Sequence, residues 1–193
     1  MNFWDLHNMQ NFNSIVFTSI NQGAGYYSFL DIIMLFATHY IPYVMIGLVL
    51  IYMLWWYPKE GLFERIHRLA QSIEFACALA TTFILVQFIK VVIAYPRPFA
   101  VLPQTVLLIP DQAGYSFPSM HTALTVAAAM SIFVHHRRLG LLLLLLALLV
   151  GISRIYVGVH YPIDVVVGGL IGWGISVLLH ALFSKIAHHT HKK

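Results

Sequence analysis

The sequence predicts an all-α membrane protein, a bundle of transmembrane helices, and three observations lead to this prediction. Hydrophobic residues make up 60% of the 193 residues and charged residues only 9%, a balance that is wrong for a soluble domain. Several apolar stretches reach the roughly 20 residues that a helix needs to cross a bilayer. The basic residues stand in short clusters between these stretches, where they act as topology signals. We therefore expect the bilayer, and no nucleic acid, as a partner.

Five spanning helices account for the apolar stretches, in a single domain that covers residues 1–193. Residues 1–26 are polar with scattered apolar side chains and are expected to lie at the membrane surface. The expected spans are residues 29–56, 72–95, 118–134, 139–155 and 162–183. The first is longer than a span needs, so we expect tilt or a kink near Pro42, and a separate short helix before His39, giving six helices, is the alternative. Residues 184–193 form a tail.

The distribution of basic residues predicts the orientation of the bundle. With five spans, eight basic residues fall on one side, which the positive-inside rule assigns to the cytoplasm: Lys59, Arg65, Arg68, Arg137, Arg138, Lys185, Lys192 and Lys193. Only Lys90, Arg97 and Arg154 fall on the other side. The N-terminus is then outside, the C-terminus is cytoplasmic, and these three cations face away from the cytoplasm.

The remaining conspicuous residues are expected to have structural or solvated roles. The charged segment 58–71 is predicted as a solvated loop, and Glu74 is placed at the cytoplasmic end of the second span. Cys77 lies inside an apolar segment, so a single chain has no disulfide or zinc framework of cysteines. An aromatic belt at the end of the first span and a histidine-rich tail complete this group: Trp55, Trp56, Tyr57, His188, His189 and His191.

Three polar islands interrupt the apolar pattern, and the first holds Lys90 and Arg97. Seven residues apart on one helix, two side chains lie within about 20° of the same face. Both then close on one anion, and Pro96 and Pro98 on either side of Arg97 make its backbone rigid. Two cations that reach towards the membrane interface are the alternative.

The second island contains Pro118, Ser119, Met120 and His121. Pro118 stands where a helix would begin, which puts the next three residues in the first turn with free backbone N–H groups. A helix N-terminus binds anions, Ser119 adds a hydroxyl, and His121 can hold a proton for a departing oxygen. A simple helix cap is the alternative.

The third island runs from Arg154 to Asp164. Pro162 is expected to begin a helix, with His160 just before it and Asp164 in its first turn. A carboxylate on one ring nitrogen fixes the tautomer of the imidazole and leaves the other nitrogen free to attack. Arg154 offers a guanidinium for phosphoryl oxygens, and Gly158 allows a tight path between them. A structural hydrogen bond between His160 and Asp164 is the alternative.

Taken together, the islands resemble the three-part motif of the type-2 phosphatidic acid phosphatase superfamily. That motif reads Lys, six residues, Arg-Pro; then Pro-Ser-Gly-His; then Ser-Arg, five residues, His, three residues, Asp. The chain matches it with Lys90 and Arg97-Pro98, with Pro118 to His121, and with Ser153-Arg154, His160 and Asp164. Met120 departs from the motif, because the family usually has glycine there.

The resemblance implies a phosphatase that needs no metal or other cofactor. His160 would attack phosphorus and form a phosphohistidine, Asp164 would orient it, and His121 would protonate the leaving oxygen. Four residues would hold the phosphoryl oxygens: Lys90, Arg97, Ser119 and Arg154.

Within the superfamily the chain looks most like the small bacterial undecaprenyl pyrophosphate phosphatases, which recycle the carrier lipid of cell-wall synthesis. This implies the bacterial inner membrane, with the site on its periplasmic face. Phosphatidylglycerophosphate, phosphatidic acid and lipid A are alternative substrates, and a lipid phosphotransferase is an alternative enzyme. An anion transporter is the rival from another class, and it predicts cations spread through the membrane depth. The oligomeric state is not predicted.

Overall fold

The computed structural model describes residues 3–55, 61–110 and 112–190, without the side chains at 3–10, 54–55, 62–64, 67 and 187–190. These ranges contain eight helices and no strand: α1 Phe3–Asn21, α2 Ser28–His39, α3 Ile41–Trp55, α4 Leu62–Ile93, α5 Pro98–Val101, α6 Met120–Phe133, α7 Arg137–Tyr156 and α8 Pro162–Thr190. The all-α prediction is therefore confirmed. Trp56, Tyr57, Lys59, His191, Lys192 and Lys193 lie outside the described residues, and the side chains of Trp55, His188 and His189 are not described.

Several of these helices are long and apolar enough to cross a membrane. Among the described residues three segments pass this test: Arg68–Val101, which runs from α4 to the end of α5, Arg137–Tyr156 and Pro162–Ile186. The bent pair of α2 and α3 forms a fourth if it is counted as one span. The central helix α6 has 14 residues and covers about 21 Å, less than the roughly 30 Å of a hydrocarbon core. The chain is a multi-pass membrane protein, and the number of five spans stays a prediction.

Two boundaries refine the expected pattern. The first span is broken at Tyr40, where α2 and α3 meet at an angle of 48°, close to the kink expected at Pro42. The loop expected over residues 58–71 is wrong for its second part, because α4 already begins at Leu62. Residues 62–71 contain neither proline nor glycine and several strong helix formers, so the helix extends past its apolar part.

Small residues let α8 approach α6 very closely. A Cβ atom on Gly172 would lie 2.2 Å from the carbonyl oxygen of Ala123, and one on Gly168 would lie 2.6 Å from that of Ser119. One turn further along α8, Ser176 Oγ donates a hydrogen bond to the Ala127 carbonyl oxygen at 3.0 Å. Close packing between small residues is how membrane helices associate. It holds the beginning of α6 against the beginning of α8.

The outer surface of the bundle is apolar, as a lipid-facing surface should be. Leu141, Leu145, Leu170 and Leu178 are each more than half exposed. The interior holds the polar groups instead, including a buried Arg, His and Asp. Charged side chains inside a membrane bundle mark functional sites, because their burial is costly.

The end of α1 belongs to the core of the protein. Phe17 is 1% exposed and packs against the ring of Tyr161. Asn21 Nδ2 donates hydrogen bonds of 2.8 Å to the carbonyl oxygens of Val106 and Tyr156. The amino-terminal segment therefore supports the loop before α6 and the end of α7, and only its earlier part is available for the surface position expected from the sequence.

Candidate active site

His160 and Asp164 form a buried pair at the start of α8. The helix begins at Pro162, which places His160 just before it and Asp164 in its first turn, as the sequence predicts. His160 Nδ1 lies 3.2 Å from Asp164 Oδ2, and the side chains are 2% and 0% exposed. Because Nδ1 faces the carboxylate, Nε2 is the ring nitrogen that remains to act on a substrate.

A third group, Ser116, completes this pair and was missed by sequence reasoning. Ser116 Oγ donates a close hydrogen bond to Asp164 Oδ2 and lies 3.4 Å from His160 Nδ1. The backbone N–H of Tyr161 donates to the same carboxylate oxygen at 2.8 Å. These donors hold the carboxylate against the imidazole. Only the tertiary fold brings residue 116 to residue 164, so spacing along the chain held no signal for it.

The electrostatic surroundings keep His160 neutral. Burial lowers the pKa of His160 well below 6.5, and the nearby charges of Arg154, Arg97 and Lys90 lower it further. Both effects disfavour a second positive charge. A neutral imidazole carries the lone pair that a nucleophile requires.

Lys90 and Arg97 both contact the loop at residues 113–116, but they do not lie on one helix. The helix α4 ends at Ile93, and Ala94 follows in the left-handed region with φ of 49°, so the expectation of a shared helix face is wrong. The prolines on either side of Arg97 are the physical reason, because they cannot continue the helix. Lys90 Nζ donates to the carbonyl oxygens of Tyr115 at 2.7 Å and Ser116 at 3.1 Å.

Arg97 donates hydrogen bonds both to the loop at residues 113–116 and to the third island. Its Nε donates to the Gly114 carbonyl oxygen and its Nη1 to that of Val159, each at 3.1 Å. The guanidinium is buried, at 8% exposure of the residue. Arg97 thus connects the loop before α6 to the segment that carries His160.

Arg154 is held by a residue that sequence reasoning also missed. Its Nη1 donates a 2.6 Å hydrogen bond to Thr38 Oγ1, next to the break between α2 and α3. Its Nε is buried without a hydrogen-bond partner among the described residues. A buried guanidinium with an unused donor is suited to bind an anion. Thr38 sits in an apolar helix, 116 residues from Arg154 in sequence, so nothing local indicated this contact.

Ser119 precedes α6 rather than lying in its first turn, which begins at Met120. The expectation that its backbone N–H is free is wrong, because this group donates to the Asp164 carbonyl oxygen at 2.9 Å. Its hydroxyl accepts a 3.0 Å hydrogen bond from Thr122 Oγ1. Ser119 therefore joins the second island to the third.

Gly158 makes the turn that separates Arg154 from His160. It has φ of +90°, and a Cβ atom there would lie 2.6 Å from the Val106 carbonyl oxygen. Both the backbone conformation and the close approach require glycine. The tight path predicted at this position is confirmed.

A cavity of about 570 Å³ opens beside the polar groups. His121 and Arg154 line it together with Thr38, and Met120 contributes its side chain to the wall. The remaining lining residues are mainly apolar and come from α2, α3, α4 and α6: His39, Pro42, Tyr43, Met45, Ile46, Leu79, Ala80, Phe83, Leu124, Thr125 and Ala128, with Ile109 and Gln112 from the loop. The cavity combines a polar end with an apolar body, which suits an amphipathic ligand.

The fold and the site together define a class of protein. It is a helical membrane protein in which cations surround a buried His–Asp pair, an arrangement suited to phosphoryl groups. The family profile described as "PAP2 superfamily" matches residues 71–187. The chain therefore belongs to the PAP2 superfamily, and the resemblance drawn from its three islands is confirmed.

Three curated relatives carry further information. The chain is 33% identical over 178 residues to the "Undecaprenyl-diphosphatase BcrC" of Bacillus subtilis, covering 91% of this chain and 84% of that protein. It is 34% identical over 127 residues to the "Undecaprenyl-diphosphatase" of Sulfolobus acidocaldarius, covering 64% and 61%. It is 48% identical over 87 residues to the "Bacitracin transport permease protein BcrC" of Bacillus licheniformis, covering 45% of this chain and 40% of that protein.

Two solved structures resemble the fold. Aquifex aeolicus LpxE superposes with a TM-score of 0.68 at 31% identity, covering 88% of this chain and 95% of that one. The transmembrane PAP2 type phosphatidylglycerolphosphate phosphatase of Bacillus subtilis also gives a TM-score of 0.68, at 22% identity over 93% and 88% of the two chains. The second likeness concerns the fold alone.

Proposed function

We propose that this chain hydrolyses undecaprenyl pyrophosphate to undecaprenyl phosphate and phosphate, and so recycles the carrier lipid of cell-wall synthesis. The observation that carries the proposal is the buried contact between His160 and Asp164, 3.2 Å long, with Lys90, Arg97 and Arg154 close enough to act on His160. A neutral imidazole oriented by a carboxylate and surrounded by cations is suited to attack a phosphoryl group.

The reaction has two steps. His160 Nε2 attacks the terminal phosphorus, so an N–P bond forms while the P–O bond to the lipid phosphate breaks. His121 donates a proton to the leaving oxygen, and Asp164 accepts the hydrogen bond of the Nδ1–H as positive charge develops on the ring. A water molecule, whose proton His121 accepts, then forms a new P–O bond as the N–P bond breaks, which releases phosphate and regenerates both histidines.

The cations would hold the phosphoryl oxygens and stabilise the charge of the transition state. Arg154 Nε is a buried donor without a hydrogen-bond partner among the described residues, so it could bind a phosphoryl oxygen. Ser119 contributes its hydroxyl. Lys90 and Arg97 now donate to carbonyl oxygens of the loop at residues 113–116. His160 is 2% exposed, so binding of a phosphate requires these two side chains and the loop to shift. The three cations together supply the charge for which other phosphoryl transferases use a metal.

The substrate assignment rests on the cavity and on the relatives. A polyprenyl chain is an apolar ligand, and the mainly apolar wall of the cavity leads to Arg154 and His121 at its polar end. Two of the relatives are named undecaprenyl-diphosphatases. Phosphatidylglycerophosphate, phosphatidic acid and lipid A share the lipid phosphate chemistry and are the alternative substrates.

We place the enzyme in the bacterial inner membrane with the site on the periplasmic face. The positive-inside rule supports this orientation, because the outer side keeps only the three cations of the site. Those cations lie at one end of the bundle, whereas a transport path would distribute them through the membrane depth.

The test is phosphate release by the detergent-purified chain in EDTA, from undecaprenyl pyrophosphate beside the three alternative lipids. We expect a clear preference for the polyprenyl pyrophosphate, and complete loss of release in His160→Ala. A ³²P label from the terminal phosphate should appear on the wild-type protein after acid-free quenching, because phosphohistidine is acid-labile.

The outcomes separate the proposals. Release by His160→Ala at the wild-type rate would exclude His160 as nucleophile. A preference for another lipid would keep the mechanism and replace the substrate. Release only when an acceptor alcohol is added would indicate a phosphotransferase. No release from any lipid by a folded sample would favour the transporter.

A further inference from the structure

A second cluster of ionisable side chains lies in the half of the bundle opposite the phosphate site. Glu74 of α4, His135 just after α6 and His180 of α8 each direct one ligand atom inwards, and these three atoms lie within 4.8 Å of one another. Along α4, the 16 residues from Glu74 to Lys90 correspond to about 24 Å of helix. The cluster is therefore remote from the proposed chemistry and plays no part in it.

Each carboxylate oxygen of Glu74 lies near a histidine nitrogen, an arrangement that can close around a small transition metal ion. Glu74 Oε1 is 3.1 Å from His180 Nδ1, and Glu74 Oε2 is 3.5 Å from His135 Nε2. Four ligands at about 2.0–2.1 Å around a tetrahedral zinc ion are roughly 3.3 Å apart. Two histidines and one glutamate are also a common zinc ligand set, with water at the fourth position. The partial exposure of His180, at 35%, leaves a path for that water.

An unsatisfied atom points to a missing ligand. His135 Nε2 is buried and makes no hydrogen bond within the described part of the chain, and its 3.5 Å contact with Glu74 Oε2 is an ion pair only if the ring is protonated. Such atoms are rare in folded proteins and are explained by an ion or a water. A metal ion between Glu74 and His180 would satisfy this nitrogen through its lone pair.

A residue outside the cluster supports the same assignment. The side-chain amide of Gln71 lies 3.3 Å from His135 Nδ1. Rotation of the amide by 180° exchanges its oxygen and nitrogen. Its oxygen then accepts the Nδ1–H that a histidine bound through Nε2 must carry, as metal-ligating histidines commonly do.

We propose that Glu74, His135 and His180 bind one Zn²⁺ ion, or a similar divalent transition metal, at the end of the bundle remote from the phosphate site. The ion joins α4, the end of α6 and α8, which are the helices that also carry Lys90, His121 and Asp164. Its role is structural, since it fixes the three helices to each other and leaves the hydrolysis itself metal-independent. Mg²⁺ and Ca²⁺ prefer all-oxygen sites and are not expected to bind.

The test measures binding of the metal alone to the full-length chain in detergent. The chain carries a tag without histidine and the changes His188→Ala, His189→Ala and His191→Ala, which remove the tail as a competing site. After treatment with EDTA and its removal, equilibrium dialysis gives the Zn²⁺ stoichiometry, and Co²⁺ reports tetrahedral coordination through its visible absorption. The same protein is compared with Glu74→Gln and His180→Ala, and with His39→Ala as a matched histidine control.

We expect one Zn²⁺ per chain, intense Co²⁺ bands, and a rise in Tm on addition of Zn²⁺. Glu74→Gln and His180→Ala should each weaken binding by more than about tenfold, whereas His39→Ala should not. Phosphate release by both ligand variants in EDTA verifies that they are folded.

Absence of Zn²⁺ binding by the wild-type chain would overturn the proposal and leave the cluster as an ion pair between Glu74 and a protonated histidine. Equal binding by wild type and Glu74→Gln would overturn it as well, because the ion would then lie elsewhere.

Discussion

At the scale of single residues, the hydroxyl of Ser116 is the least expected part of the site. It is 0% exposed and donates to Asp164, the carboxylate that orients His160. A hydrogen bond to a charged group contributes about 1.5–3 kcal/mol. Loss of this hydrogen bond would let the carboxylate of Asp164 move away from the imidazole of His160.

We therefore expect Ser116→Ala to lower kcat by about tenfold or more with a small change in KM. Steady-state phosphate release measures both constants. Ser131→Ala is the control, since Ser131 is also a buried serine, 4% exposed, whose hydroxyl bonds only to Ser176 among the hydrogen bonds described for it. An equal fall in kcat for the two variants would mean that the effect is one of general packing.

The protonation of His160 gives a prediction on pH. Burial and three nearby cations lower the pKa of His160 well below 6.5, so the ring loses its proton at a lower pH than an ordinary histidine. His160, the proposed nucleophile, then stays neutral as the solution is acidified past pH 6.5. We expect NMR of a ring-labelled His160 to show no protonation at pH 6 in the free enzyme, with free histidine in the same buffer as the reference. A midpoint at or above 6.5 would contradict this electrostatic picture.

At the scale of elements, the contact between α6 and α8 positions Ser119 of the second island against Asp164 of the third. A Cβ atom on Gly172 would lie 2.2 Å from the backbone oxygen of Ala123, so alanine there must push the helices apart. Overpacking of this kind costs about 1–3 kcal/mol, more than the roughly 1 kcal/mol that alanine contributes through helix propensity.

Gly172→Ala should therefore lower Tm in detergent, and it should lower activity because Ser119 and Asp164 separate. Gly174→Ala is the matched control on the same helix, since a Cβ atom there would meet no described residue within 4 Å other than its chain neighbours and its own helix backbone. That variant should keep or raise Tm. If both variants behave alike, close packing of α8 on α6 does not position the site.

At the scale of the whole molecule, four helices build the cavity that leads to Arg154. Met120, which replaces the usual glycine of the family motif, forms part of its wall. A methionine at this place adds apolar contact for a lipid chain close to the phosphate. Burial of apolar surface contributes about 25 cal/mol per Å², so one side chain is enough to change the preference between lipids.

We expect Met120→Ala to lower kcat/KM for undecaprenyl pyrophosphate by about three- to tenfold, and to change it little for a short-chain prenyl pyrophosphate. Competition between the two substrates measures the ratio directly. Leu142→Ala, at a half-exposed leucine on the outside of α7, serves as the control. An unchanged ratio in Met120→Ala would mean that the lipid chain does not contact this wall.

Much of the protein could be predicted because its signals are local. A long apolar stretch predicts a helix that spans the bilayer, and this signal is contained in the stretch itself. Pro162 placed His160 and Asp164 at a helix start, and the spacing of four residues brought them into contact. The break at Tyr40 and the turn at Gly158 likewise follow from neighbouring residues. The helix bounds were less accurate near residues 62–71 and 94–97, where charge and proline compete with helix propensity.

The sequence by itself determined the membrane class, the three polar islands and the His–Asp pair, because each depends on residues close together in the chain. Only the tertiary structure decided which residues, distant in sequence, contact these groups. Ser116 reaches Asp164, Thr38 holds Arg154, and Glu74 meets His135 and His180. Helix packing brings these residues together across 48 or more positions of sequence. That packing depends on small residues such as Gly172, whose effect appears only when a second helix lies against it.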